Sequence, residues 1–345
     1  MLLYCHIPFC DSKCHYCAFN SFTSNHHLKK EYMDAFLRQL KFDLDRFGVK
    51  KLETVYIGGG TPSTIKPKLY EPLFDTITNL IDEDTEITIE ANPNSATKSW
   101  LEGVKSLGIT RISFGVQSFH EEKLKLLGRA HTPQDAIKAV ETAFKAGIEH
   151  ISIDLIYDTI LDSKELLQNE VMQAIKLPID HISAYALILE EGTPFENKME
   201  MKKDDEHQGY FLKELIPFEQ YEVSNFGEYR SKHNLGYWQL KSYLGIGCGA
   251  VGFAHKKRYY PSSDLLAYIK NPTMYEEEIL SESELRFEKI FLGLRSIVGV
   301  DMQLLDAQKV ALLQEEKKVE IREGRLYNKN FFLADEIALF LCEET

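Results

Sequence analysis

The sequence predicts an α/β protein whose main part is a partial (β/α)6 barrel of the TIM type, followed by a small C-terminal domain similar to a winged helix. Three observations support this prediction. Six short runs rich in β-branched or aromatic residues recur in the first part of the chain, segments of helical period separate them, and this alternation stops after residue 200.

The six runs are predicted strands of one parallel sheet. They alternate with helical segments at a spacing that suits right-handed crossovers. The first helical segment, 30–47, is predicted from a stripe of apolar residues at steps of three and four. The predicted strands are residues 2–7, 54–60, 86–93, 111–119, 150–158 and 181–189.

The rest of the chain has a different pattern. Residues 204–216 are predicted to be helical, 221–226 to form a short strand, and 229–255 are rich in aromatic residues and glycine. Farther on, Phe287, Ile290, Phe291 and Leu294 have helical spacing, and 319–328 is predicted to be a hairpin with Glu323 and Gly324 at the turn. We expect one domain over 1–255 and a second over 275–345.

Composition excludes some classes of function. The net charge of −13 argues against a general nucleic-acid binder, which needs a basic face. We find no run of 18 apolar residues and no basic segment followed by an apolar one at the N-terminus, so neither a membrane span nor a secretory signal is predicted. We therefore expect a cytoplasmic protein.

The cysteines indicate a metal centre. Cys10, Cys14 and Cys17 are clustered with C-x3-C-x2-C spacing, and in a reducing compartment such a cluster suggests metal ligation rather than disulfides. A structural zinc site needs four ligands, so His6 or His15 would have to supply the fourth. A [4Fe–4S] cluster held by three cysteines would instead leave one iron open to a ligand. Cys5, within the first strand, points away from Tyr4 and His6 and is expected in the core.

Further candidate residues follow the predicted strands. The glycines of the segment 58–62 would let a ligand approach the backbone closely. The alternative is that they are present only because a tight turn requires them. Glu90, Gln117 and Asp154 lie at strand ends, where they could bind a ribose or an amino group, or could cap the next helix. Arg129 could bind a carboxylate or be a solvated surface residue.

The cysteine spacing after a first strand resembles the radical S-adenosylmethionine (SAM) superfamily. The resemblance implies that the open iron of a cluster on Cys10, Cys14 and Cys17 chelates the amino and carboxylate groups of SAM, from which a 5′-deoxyadenosyl radical is released. It also implies a SAM site at the C-terminal ends of the strands. The implied SAM-binding residues are Tyr4, Tyr16, Gly59, Gly60, Thr61, Glu90, Gln117, Arg129 and Asp154.

Longer motifs narrow the resemblance. The segments YCHIPFCDSKCHYCAF, VYIGGGTPS, IEANP, RISFGVQSF, LLGRAHT and SIDLIYD, followed by HISAYALILEEGTPF, YEVSNF and YLGIGCGA, are similar in order to the oxygen-independent coproporphyrinogen III oxidases and their relatives, over about residues 2–255. This family contains true oxidases and a branch of heme chaperones.

Three features favour the chaperone branch. The oxidases have a further cysteine where this chain has Phe19, and they carry an N-terminal extension, whereas the cluster here begins at residue 10. The segment HNLGYW, 233–238, fits the H-N-x-x-Y-W motif of the chaperone branch. Two positions depart from the pattern: Val251 stands where a histidine is common, and Asp158 is not followed by Gly-Leu-Pro.

The resemblance therefore implies a heme chaperone that transfers heme to acceptor hemoproteins, which could include membrane-associated ones, and that could form a homodimer. His233 is the predicted axial ligand of heme, since a neutral imidazole is the commonest such donor and a helical 233–238 would place it on one face with Tyr237. The alternative is an aromatic packing segment whose histidine only forms a hydrogen bond to the backbone. The alternative functions are a coproporphyrinogen dehydrogenase that consumes two SAM molecules per substrate and a structural zinc protein.

Overall fold

The predicted parallel sheet is present in the computed structural model, which describes residues 1–343. Strands β1 to β6 are neighbours in sequence order, and each adjacent pair is parallel. All six predicted strands are confirmed, with ends that differ by a few residues. They are β1 Leu2–Ile7, β2 Thr54–Gly59, β3 Glu86–Ala91, β4 Arg111–Gln117, β5 His150–Tyr157 and β6 His181–Ala186.

Helices connect these strands on one side of the sheet. The predicted first helix is confirmed as α1, Lys29–Arg46, whose buried side chains include Met33, Phe36 and Leu40. The others are α2 Glu71–Ile77, α3 Lys98–Ser106, α4 Glu121–Leu126, α5 Pro133–Lys145, α6 Lys164–Ala174 and α7 His207–Leu215.

Later segments extend the sheet at both edges. Strand β7 pairs antiparallel with β6, whereas β8 joins the other edge parallel to β1 and is followed by three further strands. The sheet of the described residues is open, with β11 at one edge and β7 at the other. These elements are β7 Asn225–Gly227, α8 Lys232–Trp238, β8 Tyr243–Ile246, β9 Gly252–Ala254, β10 Lys257–Pro261, α9 Leu265–Lys270 and β11 Tyr275–Ile279.

The predicted strand over 221–226 is wrong for most of its length. Only Asn225 and Phe226 belong to β7. Before them the Glu222 carboxylate accepts a hydrogen bond from the backbone N–H of Ser224, at 3.1 Å. Residues 221–223 form an isolated antiparallel bridge with 295–297, in which the Val223 N–H donates to the Arg295 carbonyl at 2.9 Å and the Ile297 N–H to the Tyr221 carbonyl at 2.9 Å.

The C-terminal segment has its own apolar core. Its predicted helix and hairpin are confirmed: Glu323 and Gly324 both have positive φ and connect two antiparallel strands. The core contains Ile290, Leu294, Val310 and Leu326. The elements are α10 Glu282–Leu294, β12 Val300–Asp301, α11 Ala307–Glu315, β13 Val319–Arg322, β14 Arg325–Asn328 and α12 Ala334–Cys342.

The inner face of the parallel sheet is polar. Side chains alternate along a strand, so Ile87 and Ile89 of β3 pack in the main apolar core beneath the helices. Glu86 and Glu90 of the same strand point to the other face, where they accept hydrogen bonds from side chains and backbone. The concave interior is therefore a polar lumen.

A buried ion cluster joins the connections that follow β4 and β5. The Lys123 ammonium lies 2.6 Å from Asp162 Oδ1 and 3.0 Å from Glu170 Oε2, and all three side chains are buried. The Ser118 hydroxyl, one residue beyond β4, donates to Glu170. Asp162 in turn accepts from the backbone N–H of Thr159, just beyond β5, at 2.8 Å.

Strand β11 ends the sheet with a charged edge. Glu276, Glu277 and Glu278 are consecutive and exposed. Within residues 1–343, no helix combines the length and the hydropathy that crossing a bilayer requires.

Candidate functional site

A cavity of about 360 Å³ lies at the C-terminal ends of the parallel strands. This is the end at which barrel proteins place their sites. The cysteine loop that follows β1 forms one wall, the glycine segment after β2 a second, and the ends of β3 to β6 the remainder. Predicted residues that line the cavity are Cys10, Cys14, Tyr16, Cys17, Gly59, Gly60, Thr61, Glu90, Gln117, Arg129 and Asp154.

Three thiols share this cavity, as the spacing predicted. Cys10 is buried and Cys14 and Cys17 are half-buried, and all three are free of disulfides. Burial raises the pKa of Cys10 and of Cys17. The Thr61 hydroxyl donates to Cys10 Sγ at 3.4 Å. Within residues 1–343, no three His, Cys, Asp or Glu side chains are arranged to hold a single metal ion.

The other cysteines lie away from the cavity. Cys5 is fully buried in the main apolar core, as its place in the strand predicted, and burial raises its pKa. Cys248 is also in this core, and Cys342 packs against the core of the C-terminal segment.

The glycines after β2 allow close approach between two loops. Gly59 has φ of +112°, and a Cβ there would lie 2.4 Å from His6 Nδ1. A Cβ on Gly60 would lie 2.9 Å from the Ile7 carbonyl oxygen and 3.0 Å from Cys10 Sγ. Side chains are therefore excluded at both positions, and the bare backbone borders the space beside the thiols.

The carboxylates at the strand ends face the cavity and do not cap helices. The side-chain caps of α3 and α6 are Thr97 and Ser163. Glu90 accepts from the Tyr56 hydroxyl at 2.7 Å and from the Gly59 N–H at 3.0 Å. Burial raises the pKa of Glu90 to about 7.

The two other strand-end residues stand beside Glu90. The Ser113 hydroxyl donates to Asp154 at 3.2 Å, and burial raises the pKa of Asp154. Gln117 has φ of +66° and is buried. The helix-capping alternative is wrong for it as well, because the N-cap residue of α4 is His120 and this helix has no side-chain cap.

Arg129 belongs to the cavity wall, so the surface alternative is wrong. Its Nη1 lies 3.1 Å from Cys14 Sγ, and its Nη2 donates to Asn92 Oδ1 at 2.7 Å and to the Gly115 carbonyl at 2.6 Å. These bonds hold the guanidinium beside one of the thiols, where its positive charge can bind an anionic ligand.

The two tyrosines predicted to bind SAM lie in different places. Tyr16 lines the cavity and packs against Leu127 and Phe195. Tyr4 does not line the cavity. Its hydroxyl lies in the lumen, 2.9 Å from His6 Nδ1.

His233 lies at the opposite end of the sheet. The predicted helix is confirmed as α8, and His233 and Tyr237 share a face, with ring centroids 4.7 Å apart. The histidine Nδ1 lies 2.6 Å from the Thr54 hydroxyl oxygen at the start of β2, and only 1% of the residue is exposed. Burial lowers the pKa of His233 to about 3, so the ring is neutral. The structure does not bring this residue to the cavity or to an open cleft.

Sequence reasoning did not identify an apolar rim at the cavity mouth. Phe19, Tyr185 and Ile188 line the mouth and are 67%, 42% and 64% exposed. Tyr185 and Ile188 come from the end of β6 and the loop after it, in a segment that the sequence predicts as a strand and that is one of the motifs of the family resemblance. Asn92, which holds Arg129, was quoted within a motif but not assigned a role.

Comparisons with known proteins show the family of the chain. The profile of the Radical SAM superfamily matches residues 4–168. "Heme chaperone HemW" of Lactococcus lactis is 35% identical, with 86% of this chain and 82% of that protein covered. The proteins of the same name from Bacillus subtilis and Escherichia coli are 33% and 37% identical, over 86% and 78% of this chain and 84% and 73% of their own lengths.

A solved structure has a similar fold. The coproporphyrinogen III oxidase HemN of Escherichia coli, described as a radical SAM enzyme, superposes with a TM-score of 0.82 over 98% of this chain and 89% of its own. The identity is 18%, so this likeness concerns the fold alone.

Proposed function

The chain belongs to the family of HemW heme chaperones, and from that premise we propose that it binds heme and transfers it to acceptor hemoproteins. Identity of 33–37% to three such chaperones, over 78% or more of this chain, carries the proposal. Membrane-associated acceptors, a homodimer and a cytoplasmic location are part of the same proposal.

We propose that the cavity holds a [4Fe–4S] cluster and SAM. Cys10, Cys14 and Cys17 would hold the cluster, since three free thiols line one wall and the Gly60 backbone leaves room beside them. When bound, a cluster with three protein ligands keeps one iron free for SAM and can supply an electron to it.

The chain's own residues would orient SAM. Its cationic sulfonium and amino groups suit a wall that carries the carboxyl groups of Glu90 and Asp154. Arg129 supplies the opposite charge for the SAM carboxylate, and the bare backbone at Gly59 and Gly60 accepts a close neighbour. These contacts bind and orient a ligand, and the apolar rim limits the access of water.

The cluster assignment is tested by replacing each cysteine in turn. Cys10→Ser, Cys14→Ser and Cys17→Ser should each lose the visible absorption of the cluster after anaerobic reconstitution. Cys5→Ala is the matched control and should retain it, because Cys5 is in the core. Loss of the cluster in Cys5→Ala would contradict the assignment.

Heme binding and transfer are tested with the reconstituted protein. Titration with heme should produce a Soret band, and mixing with a heme-free acceptor hemoprotein should shift that band to the position of the acceptor. Absence of a Soret band at micromolar heme would refute the chaperone function.

The axial ligand is a separate question. We propose that His233 binds the heme iron, since a neutral imidazole is a common axial donor and Nε2 makes no hydrogen bond in this structure. His233→Ala should shift the Soret band and weaken heme binding, whereas the exposed control His255→Ala should not. An unchanged spectrum and affinity would direct attention to the apolar rim at the cavity mouth.

We also propose that coproporphyrinogen is not dehydrogenated. Phe19 has an exposed aromatic ring at the cavity mouth. The oxidases that this sequence resembles have a cysteine at the corresponding position. Anaerobic incubation with coproporphyrinogen, SAM and a reductant should give no protoporphyrinogen. Turnover in this assay would replace the chaperone proposal by the dehydrogenase.

A further inference from the structure

Asn92 comes directly after β3, and both ends of its side-chain amide form hydrogen bonds at the cavity wall. Its Oδ1 accepts from Arg129 Nη2 at 2.7 Å, and its Nδ2 donates to Thr61 Oγ1 at 3.2 Å. The backbone is held as well, because the Asn92 N–H donates to Ser63 Oγ at 3.0 Å and the Asn92 carbonyl accepts from the Ser95 N–H at 3.1 Å. The amide therefore joins two neighbouring groups of the cavity from a fixed position.

Arg129 determines which way this amide faces. A guanidinium group carries hydrogen-bond donors and no acceptor, so the amide atom that meets it must be the oxygen. Arg129 is itself held, because its Nη2 also donates to the Gly115 carbonyl at 2.6 Å and its Nη1 lies 3.1 Å from Cys14 Sγ. The NH2 group of Asn92 is thereby directed at Thr61.

The orientation of the amide in turn fixes the hydroxyl of Thr61. The oxygen of this hydroxyl accepts from Asn92, so its single hydrogen is free to point at Cys10 Sγ, 3.4 Å away. Thr61 and Cys10 are only 3% and 7% exposed, so bulk water does not compete for this bond. If the amide oxygen faced Thr61 instead, the hydroxyl would donate to that oxygen and the sulfur would lose its donor.

A hydrogen bond to a cysteine sulfur influences how readily a bound cluster accepts an electron. One electron from an external one-electron reductant converts [4Fe–4S]2+ to [4Fe–4S]+, and no bond of the protein forms or breaks. The reduced cluster carries the larger negative charge, so a donor to one of its thiolate ligands stabilises the reduced form more than the oxidised form. Hydrogen bonds to the sulfurs are one of the factors that set the reduction potential of such clusters.

Resting on the proposed function, in which Cys10 is one ligand of the cluster, we infer that Asn92 is a positioning residue that directs the Thr61 hydroxyl at Cys10 and so raises the reduction potential of the cluster. The substitution Asn92→Asp keeps an acceptor for Arg129 but removes the donor to Thr61. In this variant the hydroxyl donates to the new carboxylate, and Cys10 loses its hydrogen bond.

The experiment is a redox titration of the reconstituted protein without heme or SAM, with dithionite and viologen mediators, followed by electron paramagnetic resonance of the reduced cluster. Thr61→Val should lower the ratio of reduced to oxidised cluster at a given potential by about ten-fold, which corresponds to a midpoint potential lower by about 59 mV. Thr61→Ser keeps the hydroxyl and should keep the midpoint potential of the wild type.

A double-mutant cycle separates the role of Asn92 from the charge that Asn92→Asp adds. Both proteins compared on the Asn92→Asp background carry this charge, so it cancels between them. Because the hydroxyl is already diverted there, adding Thr61→Val should change the ratio by less than about two-fold. The same ten-fold effect of Thr61→Val on both backgrounds would overturn the inference.

Thr88→Val is the matched control. The Thr88 hydroxyl is buried and forms no hydrogen bond, so its removal takes a donor from no thiol. This variant should keep the wild-type potential, and a shift equal to that of Thr61→Val would overturn the inference. Thr61→Ala takes the place of Thr61→Val if the latter does not fold.

The titration and the heme assay can fail separately. A wild type that takes up no cluster would overturn this inference together with the cluster assignment. A protein that shows the expected cycle but gives no Soret band with heme would support the role of Asn92 and refute the chaperone function.

Discussion

Replacing Lys123 by Met would leave Asp162 and Glu170 buried without their cation. The ammonium touches both carboxylates, and none of the three side chains is more than 4% exposed. Removal of one partner from such a cluster typically costs about 3–5 kcal/mol. We expect the lower end, about 3 kcal/mol, because burial already raises the pKa of Glu170 and the carboxyl can take up a proton in the variant.

The assay is urea unfolding of the cluster-free protein at pH 7.5, followed by circular dichroism. Lys125→Met is the control, since Lys125 and its partner Glu122 are 68% and 65% exposed and such a surface pair should contribute little to the free energy of unfolding. Adding Asp162→Asn and Glu170→Gln to Lys123→Met should restore part of the loss, because the uncompensated charges are then removed. The reasoning is refuted if Lys123→Met and Lys125→Met cost the same, or if the triple variant is no more stable than Lys123→Met.

Three further predictions concern other parts of the chain. Burial raises the pKa of Asp43 from 3.8 to about 6, and a raised carboxyl pKa lowers the stability of the fold as the pH rises toward that value. Between pH 5 and pH 7.5 the wild type should therefore lose about 1.4 kcal/mol of unfolding free energy relative to Asp43→Asn, measured by urea unfolding. An equal pH dependence of the two proteins would contradict this prediction. Gly59→Ala should abolish SAM binding in equilibrium dialysis, because residue 59 has a φ of +112° and the new Cβ would lie 2.4 Å from His6 Nδ1. Normal SAM affinity in this variant would show that the loop has another conformation. Glu90→Gln should keep the cluster spectrum but weaken SAM binding by about ten-fold, the loss of one charged contact, and an unchanged affinity would remove Glu90 from the site.

The parallel sheet was predictable because each of its strands is a short run of β-branched and aromatic residues, and such a run can be recognised from the local sequence alone. The edge strands β10 and β11 were not predicted. Residues 275–279, YEEEI, show no apolar alternation, since this strand lies at an exposed edge and pairs with β10 through its backbone and through ion pairs such as Lys257–Glu277. The strand predicted at 221–226 is only partly present because residues 221–223 pair with the distant segment 295–297 in an isolated bridge, which no local pattern predicts.

The candidate site was predictable where residues are close in sequence. Three cysteines within eight residues stay close together in any compact loop, and so do the consecutive glycines after β2. In the structure both groups line one cavity, which contains Cys10, Cys14 and Cys17. The place of His233 depends on how α8 packs under the lumen, against residues more than a hundred positions away such as Glu86. No local pattern carries that information, so the helix was predicted and its surroundings were not.

The three glutamates of β11 influence how molecules meet one another. An unpaired strand is a template on which a second molecule can add its own strand, which is the first step toward aggregates. Glu277 forms ion pairs with Arg46 and Lys257, and Glu278 with Arg258, so part of this charge is neutralised within the molecule, and the net charge of −13 adds a general repulsion between two copies. Charged side chains held at the last strand, together with the net negative charge, therefore disfavour the addition of a second molecule's strand to the open edge of the large sheet.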